Sequence, residues 1–98
     1  MVFDISKVTG IGNFSEKVEK ERKLFAVSEN EKVFLVENKN TIEVRCDEKL
    51  GKVLQDKYES VMESRYFGRG GIEIVMSGQL DEGEIEDLVR LSYNLSQE

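Results

Sequence analysis

Ile72-Glu73-Ile74-Val75-Met76-Ser77-Gly78-Gln79-Leu80 runs straight into Asp81-Glu82-Gly83-Glu84-Ile85-Glu86-Asp87-Leu88-Val89-Arg90-Leu91-Ser92-Tyr93-Asn94-Leu95. The change of rhythm between these halves decides the fold. In the first, Ile72, Ile74 and Met76 alternate with Glu73, Val75 and Ser77, the period of a strand with two unlike faces. In the second, Ile85, Leu88, Val89 and Leu95, joined by Leu91 and Ser92, recur at helical spacing. Asp81 stands at the junction as an N-cap, with Glu84 placed to complete a capping box. The acids fall in the first turns and Arg90 later, as the helix dipole favours.

The same grammar extends upstream. Leu24 to Val27 and Val33 to Val36 are short apolar runs separated by the polar turn Ser28 to Lys32, and Glu37 to Asn40 makes a second turn. In Thr41 to Cys46, Ile42, Val44 and Cys46 face one way and Thr41, Glu43 and Arg45 the other. These segments predict consecutive antiparallel strands, one sheet face meeting helices and the other water. Asp47 predicts a second N-cap. Leu50, Val53, Leu54, Tyr58 and Val61 behind it make a helical stripe, weakened by Gly51 by about 1 kcal/mol relative to Ala. Arg65 to Gly71 reads as a loop or hairpin arm. Ser15 to Lys23, with Val18 as its only apolar residue, fits either a helix or an extended edge strand. Met1 to Phe14 scatters Val2, Phe3, Ile5, Val8, Ile11 and Phe14 around the turn-like Thr9 to Gly12, and allows a short helical turn. The expected architecture is α+β, a mostly antiparallel sheet covered on one face by two helices.

With 98 residues and a hydrophobic share of 39%, the chain suits one domain, residues 1–98, with an ordinary core. The longest apolar runs are far short of the ~20 residues that span a bilayer, and no export signal opens the sequence. The absence of histidine removes Ser-His, Cys-His and His-zinc chemistry. A lone cysteine, Cys46, predicts a reducing, cytoplasmic setting. The net charge of −6 is concentrated in Gly78 to Glu98, which holds six acids and one base. Such a balance disfavours general polyanion binding.

Three stretches carry a resemblance. Lys32-Val33-Phe34-Leu35-Val36 looks like a Lys-x-Phe strand, Thr41 to Leu54 is a strand running into a capped helix, and Leu88 to Leu95 spells Leu-x-x-Leu-Ser-Tyr-x-Leu. Together, over roughly residues 24 to 95, the chain resembles the MmcQ/YjbR-like family of small frataxin-like α+β domains. That family usually places a Trp at the head of its last strand, where this chain has Gly71 or Ile72. The resemblance implies a fold, with DNA binding proposed for some members and no catalytic motif to transfer.

Arg65-Tyr66-Phe67-Gly68-Arg69-Gly70-Gly71 has the look of a site. Two guanidiniums beside two aromatics suit phosphate gripping and base stacking, with Arg45 and Lys57 as neighbouring bases. A hairpin turn with glycines at positive φ explains the same residues. The acids Asp81, Glu82, Glu84, Glu86 and Asp87 are scattered around a helix axis, unlike a calcium cage. Cys46 shares the inward strand phase and reads as a buried small hydrophobe, and Tyr93 as a packing residue. The expectation is a non-enzymatic binding module for a protein or small ligand, without cofactor or metal. Nucleic-acid binding through residues 65–71 is the alternative. Phe25, Val27 and Val75, if exposed on the polar sheet face, would favour a homodimer.

Overall fold

The computed structural model describes residues 5–97, so Val2 and Phe3 lie outside the described residues. A 3-10 turn (Ile5–Lys7) precedes four strands, β1 (Phe14–Val18), β2 (Lys23–Val27), β3 (Val33–Glu37) and β4 (Thr41–Arg45). Helix α1 (Glu48–Lys57), strands β5 (Val61–Ser64) and β6 (Gly68–Val75), and helix α2 (Glu82–Ser96) complete the chain. All pairings are antiparallel, in the order β1-β2-β3-β4-β6-β5. Helix α2 packs on β3 and β4, and α1 on β5 and β6.

Both predicted caps form. The Asp47 carboxylate accepts from the Lys49 and Leu50 N–H groups, and Asp81 from that of Glu84. Each satisfies amide donors that the first turn of a helix leaves without intrahelical partners. The core is continuous between sheet and helices, with Phe25, Phe34, Leu35, Ile42, Val44, Ile72, Ile74, Ile85, Val89 and Tyr93 all buried. Cys46 lies in this core, and burial, with Asp47 beside it, holds its thiol pKa above the ordinary value.

The structure corrects several expectations. Of the two readings of Ser15 to Lys23, the edge strand is the one that forms and the helix does not: β1 is the sheet edge and residues 19–22 turn it into β2. The stripe from Leu50 does not reach Val61, because α1 ends at Lys57, Tyr58 caps it in extended conformation, and Val61 opens β5. Val53, expected in that stripe, is 59% exposed. A ten-residue helix without it still packs, since Leu50, Leu54 and Tyr58 meet the core. Phe25 and Val27 are buried and Val75 is half-buried, so the apolar patch expected to favour a dimer is absent from the described surface.

The uncovered sheet face differs most from expectation. Pairing aligns Lys17, Leu24, Val36, Glu43, Glu73 and Met62 in one row across all six strands. Ile72, next to Glu73, faces Gly51 of α1, so by strand alternation this row faces away from the helices. Its centre does not meet water: Val36 is 0%, Glu43 2% and Glu73 3% exposed. Something other than a helix covers it.

Candidate functional site

The cover is the turn between β5 and β6. Ser64 ends β5, residues 65–67 fold back over β4 and β6, and Gly68, at φ 65°, restarts the chain in the left-handed region that glycine adopts without strain. The hairpin reading of the sequence, glycines at positive φ in this turn, holds at Gly68 and not at Gly70 or Gly71. Gly71 is needed for a different reason. A Cβ there would lie 2.6 Å from the Val44 carbonyl oxygen and 2.6 Å from Phe67 Cβ, so only glycine lets Phe67 lie against β6. Gly71→Ala is expected to destabilise the protein by about 1–3 kcal/mol, the usual range for overpacking. Gly70→Ala, whose Cβ meets nothing closer than 3.7 Å, is the control in the same urea titration.

Beneath this turn lie two carboxylates on neighbouring strands, Glu43 directly opposite Glu73. Glu43 Oε1 accepts from the Ser64 hydroxyl and the Tyr66 N–H, each at 2.8 Å, and its Oε2 accepts from the Asn38 amide at 2.9 Å. Glu73 is gripped by Arg65, whose Nε and Nη2 donate to the two carboxylate oxygens at 3.0 and 2.8 Å; Thr41 adds a hydroxyl donor at 2.8 Å. Asn38 also donates to Thr41, so one network links both acids. Burial pushes the Glu43 pKa up, but hydrogen bonds from Asn38, Tyr66 and Ser64 and the charge of Arg65 outweigh it and hold it below the ordinary range.

Over this floor opens a groove. Residues 18–23 of the β1–β2 hairpin, residues 37–41 of the β3–β4 hairpin, and Glu43, Arg65, Tyr66 and Met76 line it. Its charges have both signs, with Glu19, Glu21 and Glu37 set among Lys20, Arg22, Lys23, Lys39 and Arg65. Two hairpins from opposite sides of the sheet meet above it: the Arg22 guanidinium lies 5.3 Å from the Tyr66 ring centroid.

The residues singled out from sequence are therefore only partly brought together. Arg65, Tyr66 and Phe67 cover the outer face, and Arg45 joins them by stacking its guanidinium 4.9 Å over Phe67 and donating to the Val33 carbonyl. Arg69 is exposed on β6. Lys57 lies apart, at the end of α1, with its ammonium 5.2 Å from the Tyr58 ring. Among the acids of α2, Asp81 caps the helix while Glu86 and Asp87 pair with Arg90. Tyr93 packs edge-on against Phe34 and donates to the Asn13 carbonyl.

Arg65 is not a simple surface arginine. Its own side chain is 75% exposed, but its partner carboxylate is buried. Arg65→Ala is expected to lower the melting temperature measurably, because it leaves the buried Glu73 carboxylate with one hydroxyl donor. Arg69→Ala should stay within about 0.5 kcal/mol. Paired thermal melts will separate the two.

Sequence reasoning did not single out Glu43, Glu73, Asn38, Thr41 or Ser64. Strand alternation placed the two acids on the polar face, but no local pattern told that a distant turn would seal them there.

No family model matches the sequence and no curated protein matches it. Solved structures share the fold. A Deinococcus radiodurans protein with a DUF419 domain superposes with a TM-score of 0.78 over 92% of this chain and 72% of its own, at 14% identity. A structural-genomics protein from Pseudomonas syringae gives 0.74 over 85% of this chain and 86% of its own, at 16% identity. The α+β architecture, an antiparallel sheet with two helices on one face, is thus one that solved proteins adopt.

Proposed function

We propose that this chain is an MmcQ/YjbR-like domain acting as a non-enzymatic binding module, and that the groove over Glu43 and Glu73 receives its ligand, a protein segment or a small molecule. One observation carries this reading. The groove offers charges of both signs and an aromatic ring, while the carboxylates beneath it are held by internal hydrogen bonds. A general acid in a glycosidase-like pair needs a raised pKa; that of Glu43 is lowered, and Glu73 is clamped by Arg65. This arrangement suits recognition better than proton transfer.

The nucleic-acid alternative loses support from the placement of its residues. Arg65 directs its Nε and Nη2 at Glu73, Arg45 directs its Nε at the Val33 carbonyl, and Lys57 sits on another element. The cytoplasm is the proposed location: the buried, free Cys46 suits a reducing compartment, and no helix among the described residues is long and apolar enough to cross a membrane.

The test is a chemical-shift titration of isotope-labelled protein with a small-molecule fragment set and with mixed-charge peptides. Shifts clustered at residues 18–23, 37–41 and 65–66 are expected. Saturable binding centred elsewhere, salt-dependent micromolar DNA binding, or turnover in a hydrolase screen would overturn the reading.

A further inference from the structure

The contact between Arg22 and Tyr66 joins elements that the sheet holds apart. Arg22 belongs to the turn between β1 and β2, at one edge of the sheet. Tyr66 belongs to the turn between β5 and β6, at the opposite edge. Both remain substantially exposed, Tyr66 at 39% and the Arg22 side chain at 41%, so neither is locked in place by packing. The hairpin bearing Arg22 is lightly anchored, since four of the five residues of β1 are exposed and β2 is its strand partner. Arg22 is nonetheless aimed: Glu19 accepts from its Nε at 2.7 Å, and the Glu19 N–H donates to the Arg22 carbonyl at 2.8 Å across the turn. Tyr66 is tied to the row on the outer face, its N–H donating to Glu43, and Val36, paired with Glu43 in that row, is buried on the face that carries no helix.

We propose that Arg22 and Tyr66 form a latch, a cation–π contact between two hairpin tips that holds a roof over the outer sheet face and gates the groove beneath. In the closed form described here the tips touch. In the open form they part, and the centre of the row, Val36 with Glu43 beside it, becomes reachable. The proposal rests on the groove reading for its purpose, but its test needs no ligand. Failure of the gate and failure of the binding reading are therefore separate results.

The test is thiol labelling of the full chain carrying Val36→Cys, with the buried native Cys46 as an internal control for global opening. An exposed cation–π contact shifts a closed-to-open ratio about two- to fivefold. Adding Arg22→Ala is expected to raise the labelling rate of the introduced thiol by that factor, with the Cys46 rate unchanged. Tyr66→Leu should do the same, while Tyr66→Phe, which keeps the ring face, should label like the parent. Equal acceleration of both thiols would mean general destabilisation and would overturn the latch, as would no acceleration in either Arg22→Ala or Tyr66→Leu. If Val36→Cys itself proves poorly folded, Leu24→Cys, buried in the same row, serves with the same expected pattern.

Discussion

Glu43→Ala is expected to lower the free energy of unfolding by about 3 kcal/mol, since each buried donor left without an acceptor costs roughly 1–3 kcal/mol. The substitution removes the acceptor of the Ser64 hydroxyl and the Tyr66 N–H, and leaves the Asn38 amide with Thr41 as its acceptor. Relief from the cost of burying the Glu43 charge keeps the total below the sum of the three lost bonds. The Tyr66 bond is also what ties the covering turn to β4, so the damage should spread to the roof of the groove. Glu43→Gln, which keeps the volume but points amide hydrogens at donors, should cost less. Urea titrations of the three proteins will rank them; a Glu43→Ala variant as stable as wild type would refute the account of the cluster.

The same residue gives a pH signature. Its pKa in the folded protein lies below the ordinary carboxylate value. The unfolded chain therefore takes up the proton first on acidification. The stabilisation from Glu43 is fully present above about the ordinary carboxylate pKa, roughly 4.3, and is lost as pH falls through the lower folded value. Wild type should lose stability across that window more steeply than Glu43→Gln, a comparison that thermal melts between neutral and strongly acidic pH will make.

Ser92→Ala is expected to cost a comparable amount, about 2–4 kcal/mol, for the two main-chain groups it would orphan. The β3–β4 ladder pairs Glu37 with Ile42, Val36 with Glu43 and Leu35 with Val44. The Asn38 N–H bonds the Thr41 carbonyl. Hydrogen-bonded pairs alternate in an antiparallel ladder, so Phe34 and Arg45 would be the next such pair beyond Val36 and Glu43. That bond is replaced by the α2 hydroxyl of Ser92, which accepts from the Arg45 N–H at 2.7 Å and donates to the Phe34 carbonyl. The serine, itself 0% exposed, thus pins the helix into an opening in the sheet. Hydrogen exchange at the Arg45 amide should accelerate in Ser92→Ala, whereas a change confined to the helix would rule out the pin.

Ser92 also shows where sequence reading stops. The Leu-Ser-Tyr stretch was conspicuous as a pattern, and Leu88, Leu91 and Leu95 marked the apolar face correctly as a region. Yet it is Ser92 and Tyr93 that are buried there, while those three leucines are only half-buried. A serine on an apolar face looks like an interruption unless the main-chain gap it fills is known.

What the sequence determined by itself was local and periodic. Alternation at Thr41 to Cys46 and Ile72 to Met76, the side chains of Asp47 and Asp81 before helical spacing, and polar turns at 28–32 and 37–40 all act over a few residues. Together they gave an antiparallel sheet with two helices on one face. What only the tertiary structure decided depends on contacts between segments far apart in the chain. The end of α1 at Lys57 follows from the pairing of Val61 with Ile74, which overrides a helical stripe. The burial of Glu43 depends on Tyr66, and the meeting of Arg22 with Tyr66 joins the two edges of the sheet. A carboxylate on a strand's polar phase has the same sequence signature whether water or a folded-back turn lies over it. Desolvation is set by whatever covers the atom, and here that cover comes from more than twenty residues away.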